Sequence, residues 1–333
     1  MKIGIIGYGY WGPNLVRNFS QLSHCKVEYV SDFREERLAI VSKMHPTVGV
    51  TRNPDDIILS KEIDAVVIAT PVFTHFALAK KALENGKHVL LEKPMTATVQ
   101  EAEELKNLAD HKKLFIMVDH TFLYTGAVQK MKSIITEGTI GKIQYFDSTR
   151  INLGLFQSDV NVLWDLAPHD ISILNYLILD KPYSVNATGV SHTNNNIENI
   201  AYLTVNYQSG FIAHFNCSWT SPVKIRTMLI GGDKKMLLFN DLEPTEKIRV
   251  YDTGYNHKTD EEKQRVLVDY RAGDVYLPKV DSREALFSMA SDFVNSILNK
   301  TKPVSDFESG LSVIKILEAS QKSIKNNGKE IIL

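Results

Sequence analysis

The first third of the chain alternates short runs that are apolar at nearly every position with amphipathic stretches. Residues 2–7, Lys26-Val-Glu-Tyr-Val30, Ala65-Val-Val-Ile-Ala69, His88 to Leu91 and Leu114 to Val118 read as buried strands. Between them, Pro13 to Phe19, Glu35 to Met44, Thr74 to Asn85 and Thr98 to His111 carry helical periodicity. Pro13 suits a first helical turn, where its missing N–H is no loss. Gly86 suits a helix terminator. Strands that are apolar on both faces and alternate with helices imply a parallel sheet covered on both sides. This predicts a doubly wound α/β domain over residues 1–120.

The pattern then changes. Residues 143–151, 184–191, 200–207, 211–219, 225–230 and 235–239 read as strands with few helices between them, and Gln208-Ser-Gly210 as a hairpin turn. Helices are expected at 124–137, 166–179, 284–299 and 307–326. The last pair should pack on that sheet or back on the first domain. Residues 121–333 are therefore expected to form an α+β domain with a large, mostly antiparallel open sheet. An uncovered sheet face of that size calls for a partner, so a homo-oligomer is expected.

Composition narrows the classes. The 333 residues are 44% hydrophobic and 23% charged, with a net charge of -1. That is the balance of a globular protein without a general basic field for nucleic acid or anionic membrane. Cys25 and Cys217 are the only cysteines. They form no zinc or disulfide framework, which favours a reducing, cytoplasmic setting. The apolar start, broken by Gly7, is too short for a signal-peptide core or a membrane span.

Two motifs carry chemistry in the first domain. Gly7-x-Gly9-x-x-Gly12 follows a strand and opens a helix, the context a dinucleotide cradle needs. Gly7 permits the turn, Gly9 lets backbone approach a pyrophosphate, and Gly12 lets the helix pack closely. Tyr10 and Trp11 either cover the phosphates or pack between domains. Asp32, twenty residues after Gly12, ends the second strand where an acid meets the adenosine ribose; alternatively it caps the next helix. Its carboxylate favours NAD over NADP, although Arg34 beside it could hold a 2′-phosphate. Phe33 and Arg34, which follow Asp32, join the cofactor-side candidates. So do Thr70, Pro71 and Glu92 at strand ends, and His75. Lys93 follows Glu92 and precedes Pro94, so it sits at the carboxyl rim of the sheet. It is either a solvated strand end or a proton-transfer group.

The second domain offers Trp164-Asp165-Leu-Ala-Pro-His169-Asp170. Asp165 and His169 share a helix face. Pro168 places His169 in the first turns, where the dipole favours a neutral imidazole able to accept a proton. The plainer reading is an Asp cap and a buried histidine. Asp170 points to another face, so a metal site is not expected.

Taken in order, Gly7-x-Gly9-x-x-Gly12, Glu92-Lys93-Pro94 and Asp165-x-x-x-His169 resemble the glucose–fructose oxidoreductase / inositol dehydrogenase / MocA-like (Gfo/Idh/MocA) family over essentially the whole chain. The resemblance implies an N-terminal Rossmann domain, NAD, a catalytic Lys93, His169 as acid/base beside Asp165, and a homodimer or homotetramer. It also makes Lys93–Pro94 a candidate cis bond. Two stretches depart from the common pattern: Ala167 and Ser172 in the histidine motif, and Asp119-His-Thr-Phe-Leu-Tyr124 after the last parallel strand. The runs His120 to Tyr124 and Asn152 to Asp165 resemble the nucleotide-sugar branch, typified by UDP-N-acetylglucosamine 3-dehydrogenases of cell-surface glycan and amino-sugar biosynthesis. Tyr124, Arg150, Asn152 and Trp164 are the candidate substrate contacts, with packing roles as the alternative. A dehydrogenase or keto-reductase of a free sugar, inositol or other small carbonyl is the second expectation. A cofactor-binding regulator without chemistry is the third.

Overall fold

The computed structural model describes residues 1–154, 156–193, 196–256, 269–271 and 273–333. The chain divides into two compact units, one of Met1–Thr125 with Arg283–Lys315 and one of Gly126–Ser282 with Ile316–Leu333.

In the first unit, β1 (Lys2–Ile6), β2 (Lys26–Ser31), β3 (Gly49–Thr51), β4 (Ala65–Ile68), β5 (His88–Glu92) and β6 (Ile116–Asp119) form one sheet in the order β3-β2-β1-β4-β5-β6. Every pair is parallel. The strands β4 and β6 are buried at every position, as a sheet covered on both faces requires. Strand order reverses between β1 and β4, and ligands of such sheets bind outside the carboxyl ends at that reversal. The helices are α1 (Gly12–Ser20), α2 (Glu35–Met44), α3 (Asp55–Ile58), α4 (His75–Glu84) and α5 (Val99–Lys112). The short edge strand β3 escaped the sequence pattern. Gly49 makes it fit, since a Cβ there would lie 2.4 Å from the Tyr29 ring.

The second unit begins with α6 (Gly126–Thr136), β7 (Ile143–Leu153) and α7 (Val162–Leu177). Then come β8 (Pro182–Val190), β9 (Ile200–Tyr207), β10 (Ile212–Ser218), β11 (Thr220–Gly232), β12 (Met236–Asn240) and β13 (Ile248–Tyr251). With β16 (Val275–Tyr276) and β17 (Ile331–Ile332) they form a nine-stranded sheet, β16-β13-β12-β11-β7-β10-β9-β8-β17. β14 (Gly254–Asn256) and β15 (Asp269–Arg271) pair separately. The large sheet is antiparallel except where β7 runs parallel to β10. Side chains alternate along β9 and through most of β10. Ala213, Phe215 and Cys217 of β10 and Leu203 and Val205 of β9 are buried on the α7 face. Ile212, His214 and Tyr202 point to the other, half-open face.

Residues 283–315 cluster with the first unit, whose leading segment runs to Thr125. The helix α8 (Ala285–Asn299) packs on α1, where Phe293 meets Phe19 edge-on at 6.3 Å. Both rings are buried, which stabilises the contact by about 1.5–3 kcal/mol per side chain. Periodicity shows that a helix has an apolar stripe but not which surface receives it. The unit boundary falls within α9 (Phe307–Lys325). One expectation needed correction: α7 starts at Val162 rather than 166, so Pro168 is its seventh residue, not part of its first turn.

Candidate active site

In the first unit a cleft of about 1000 Å³ lies at the carboxyl ends of β1, β2, β4 and β5. Gly7, Gly9, Tyr10 and Trp11 form one wall, and Asp32, Phe33 and Arg34 another. Thr70, Pro71, Glu92 and Lys93 close the far end. These residues, dispersed over 87 positions of sequence, are thus gathered in one cavity. Gly12 and His75 are not on its surface.

The three glycines have different reasons to be glycine. Gly7 has φ +102°, and a Cβ there would sit 2.4 Å from the Ala69 carbonyl oxygen. A Cβ on Gly12 would lie 2.7 Å from the Gly7 carbonyl oxygen, so Gly12 lets α1 start against the turn. At Gly9 a Cβ would meet nothing nearer than the Arg34 guanidinium at 3.8 Å. The protein itself therefore does not need glycine at position 9; a molecule pressed against that backbone would. This open cradle, the volume of the cleft and an acid at the end of β2 fit a dinucleotide.

Asp32 is buried and heavily engaged. Its Oδ2 accepts from the Tyr8 N–H at 2.8 Å and from the Arg34 guanidinium at 2.9 Å. Its Oδ1 accepts from the Arg34 N–H at 3.0 Å and Nε at 2.9 Å. Burial raises the Asp32 carboxyl, but these hydrogen bonds outweigh it and hold it below the usual range. Four donors fill the acceptor positions of a carboxylate. A ribose hydroxyl reaches Asp32 only when the Arg34 side chain swings aside. Arg34 also lies over the Phe33 ring at 5.2 Å.

His75 acts beneath the cleft. Its Nε2 lies 2.8 Å from the Thr70 carbonyl oxygen and its Nδ1 3.0 Å from that of Pro94. It ties the ends of β4 and β5 together, and burial pushes its pKa down. Lys93 follows β5, its N–H 3.3 Å from Glu92 Oε2, and the Lys93–Pro94 bond is cis. Tyr124 was expected to meet substrate. It is instead buried with its hydroxyl donating to Asp292 at 2.7 Å and lying 3.0 Å from the Ser305 hydroxyl. It secures the turn before residue 125 to α8.

In the second unit Asn161, not an aspartate, caps α7: its Oδ1 accepts from the Trp164 N–H at 3.1 Å. Asp165 sits in the first turn and accepts from Trp219 Nε1 at 3.0 Å. Half-buried Trp164, Asp165 and His169 follow one another along the exposed side of α7. Asn152, half-buried and next to last in β7, lies near Trp219, with Gly154 packed between them. Phe156 tilts against Trp219 at 5.6 Å. Trp219 went unnoticed in the sequence because an isolated tryptophan in a strand reads as core. Arg150, expected at a phosphate, is buried. Its guanidinium is bidentate on Asp170, with Nε at 2.9 and 3.0 Å from the two oxygens, and Ser148 donates to the same carboxylate at 2.6 Å. Burial opposes the charge on Arg150, but Asp170 more than offsets it. The alternating pattern placed Arg150 on the strand but not on its inner face. Among the described residues no group of three or more His, Cys, Asp or Glu could hold a metal ion. No helix among them is long and apolar enough to cross a membrane.

Two family models match the chain. One, the oxidoreductase family with an NAD-binding Rossmann fold, covers residues 1–120. The other, the Gfo/Idh/MocA C-terminal domain, covers residues 128–238. The UDP-N-acetylglucosamine 3-dehydrogenase of Acidithiobacillus ferrooxidans is 28% identical over 304 residues, 89% of this chain and 88% of that protein. An uncharacterised Escherichia coli oxidoreductase, YdgJ, is 32% identical over 189 residues, but the match spans only 51% of each protein. A solved structure of the Acidithiobacillus enzyme superposes with a TM-score of 0.82 over 99% of both chains at 24% identity, a likeness in fold.

Proposed function

The chain belongs to the Gfo/Idh/MocA family of NAD-binding oxidoreductases, and from that premise we propose that it oxidises the C3 hydroxyl of a nucleotide-activated hexose such as a UDP-N-acetylhexosamine. The observation that carries the substrate class is the near end-to-end match to a UDP-N-acetylglucosamine 3-dehydrogenase. When bound, NAD supplies the hydride acceptor.

The chain's residues do the rest. The backbone of Gly7 and Gly9 and the start of α1 hold the pyrophosphate, with Gly12 allowing the approach. Asp32 takes the adenosine ribose once Arg34 moves, which favours NAD over NADP. Thr70, Pro71 and Glu92 line the nicotinamide end of the cleft. The Lys93 ammonium hydrogen-bonds the reacting oxygen and stabilises the negative charge that develops there. His169 accepts the hydroxyl proton, and Asp165, held by Trp219, sits one helical turn before it. Trp164 and Asn152 contact the sugar. Two of the earlier candidates drop out: the Arg150 guanidinium and the Tyr124 hydroxyl are engaged inside their own units.

The half-open face of the nine-stranded sheet supports a homodimer or homotetramer. The setting is cytoplasmic synthesis of amino sugars for cell-surface glycans. NADH formation with a panel of UDP- and TDP-sugars, beside free glucose and inositol, tests the reading. Turnover of a free sugar or inositol but of no nucleotide sugar would replace it with the second expectation.

A further inference from the structure

At the carboxyl ends of β5 and β6, Glu92 and Lys93 lie beside two buried polar groups that the proposed reaction does not yet use, Asp119 and His120. Glu92 and Asp119 are partners in the parallel register, so their backbones are about 4.8 Å apart. Both are buried. Lys93 comes next after Glu92, and His120 next after Asp119. The register thus sets all four at one corner of the sheet, where the Lys93 charge acts on Glu92, Asp119 and His120 alike. The Thr121 hydroxyl donates to Asp119 Oδ1. Neither ring nitrogen of buried His120 has a hydrogen-bond partner in the structure, and neither has Glu92 Oε1. Buried polar atoms are rarely left so, and clusters of them mark working sites or bound water.

Resting on the reaction proposed above, we propose that Glu92 and Asp119 share a single proton, and that the one negative charge left on the pair positions the Lys93 ammonium at the reacting oxygen. They are positioning residues, acting through Lys93. The charge count supports this. Two carboxylates side by side in a buried corner do not both ionise. His120 supplies no second cation, since burial pushes it down to about 3. One proton on the pair leaves one negative charge against one ammonium, a balanced corner. Burial and its acidic neighbour hold Glu92 well above the usual carboxylate range, and burial raises Asp119 as well. The other ionisable groups near these strand ends are already committed. His75 on α4 bridges the Thr70 and Pro94 carbonyls, and Asp306, bridged to Met117 of β6, pairs with Lys302 at 2.6 Å.

Infrared absorption of the NADH-loaded protein at about pH 8 tests the shared proton, because ordinary carboxyls, with pKa values of about 4, are then ionised. A protonated-carboxyl band is expected in the wild type and lost in both Glu92→Gln and Asp119→Asn. No such band in the wild type overturns the proposal. Steady-state oxidation of UDP-N-acetylglucosamine tests the positioning. Asp119→Asn should lower kcat about 10-fold, the worth of a hydrogen bond to a charged group. It should also move the acid limb of the kcat profile, with NADH affinity unchanged. An unmoved limb and wild-type kcat overturn it. A wild type that turns over no nucleotide sugar sinks the substrate reading, and the infrared result still decides the shared proton.

Discussion

Replacing Gly9 with alanine separates what the protein needs from what the cofactor needs. The added Cβ meets no protein atom within ordinary contact distance apart from the end of the Arg34 side chain at 3.8 Å. The folded protein should therefore tolerate it. Gly→Ala at an unstrained position stabilises by about 0.4–1 kcal/mol through the unfolded chain. That corresponds to a Tm rise of up to about 4 °C for a unit of this size. The same methyl stands where the pyrophosphate must touch backbone. Overpacking by one carbon costs about 1–3 kcal/mol, or about 5–150-fold in Kd. Gly12→Ala is the control. Its Cβ would press on the Gly7 carbonyl oxygen at 2.7 Å, so it should lower Tm even without ligand. Thermal melts and NADH fluorescence titrations read both quantities. A Gly9→Ala protein with wild-type Tm and wild-type NADH affinity would refute the cradle. So would a Gly9→Ala protein that melts as early as Gly12→Ala.

Further outcomes follow from the same geometry. Lys93→Ala should keep NADH affinity and lose at least ~10²-fold in kcat; near-wild-type turnover would remove Lys93 from the mechanism. Asp170→Asn leaves the buried Arg150 charge uncompensated and should cost about 3–5 kcal/mol of stability in urea unfolding, whereas a near-neutral result would mean that the pair contributes little. Arg17 and Asn18 of α1 hydrogen-bond Glu284 and hold its carboxyl down at about 2. A depressed carboxylate stabilises fully above its unfolded pKa and less as pH falls through the folded one. The stability gap between wild type and Glu284→Gln should therefore be constant above about pH 4.5 and close toward about pH 2. The gap should be small, below about 1 kcal/mol, because the pair is exposed. A gap that widens on acidification would contradict the assignment.

The doubly wound unit was legible because its strands are apolar on both faces and Gly7, Pro13 and Gly86 punctuate them. The antiparallel strands were legible from alternation, and β9 from Ile200 to Tyr207 agrees residue for residue. Packing partners were not. Periodicity located α8, but only three dimensions place Phe293 on Phe19. Pro168 looked like a helix opening because proline lacks an N–H. It is tolerated inside α7, where Asn161 already fixes the start. The residues that line the cleft were readable because glycine spacing and the Asp32 position follow from backbone geometry. Arg150 and Tyr124 were not, because a polar residue on a strand or turn does not announce that an acid awaits it from another element. Asp119 and His120 stood out only as a departure from a pattern. Their proximity to Glu92 and Lys93 comes from strand register.

We propose that this oxidoreductase acts on a nucleotide-activated sugar through Lys93. The most direct measurement is NADH formation by wild type and Lys93→Ala with UDP-N-acetylglucosamine, beside free inositol and glucose. The account predicts a keto-sugar and NADH from the nucleotide sugar with wild type, and little from the variant despite intact NADH binding. NADH from inositol or glucose alone, or equal rates in the two proteins, would contradict it.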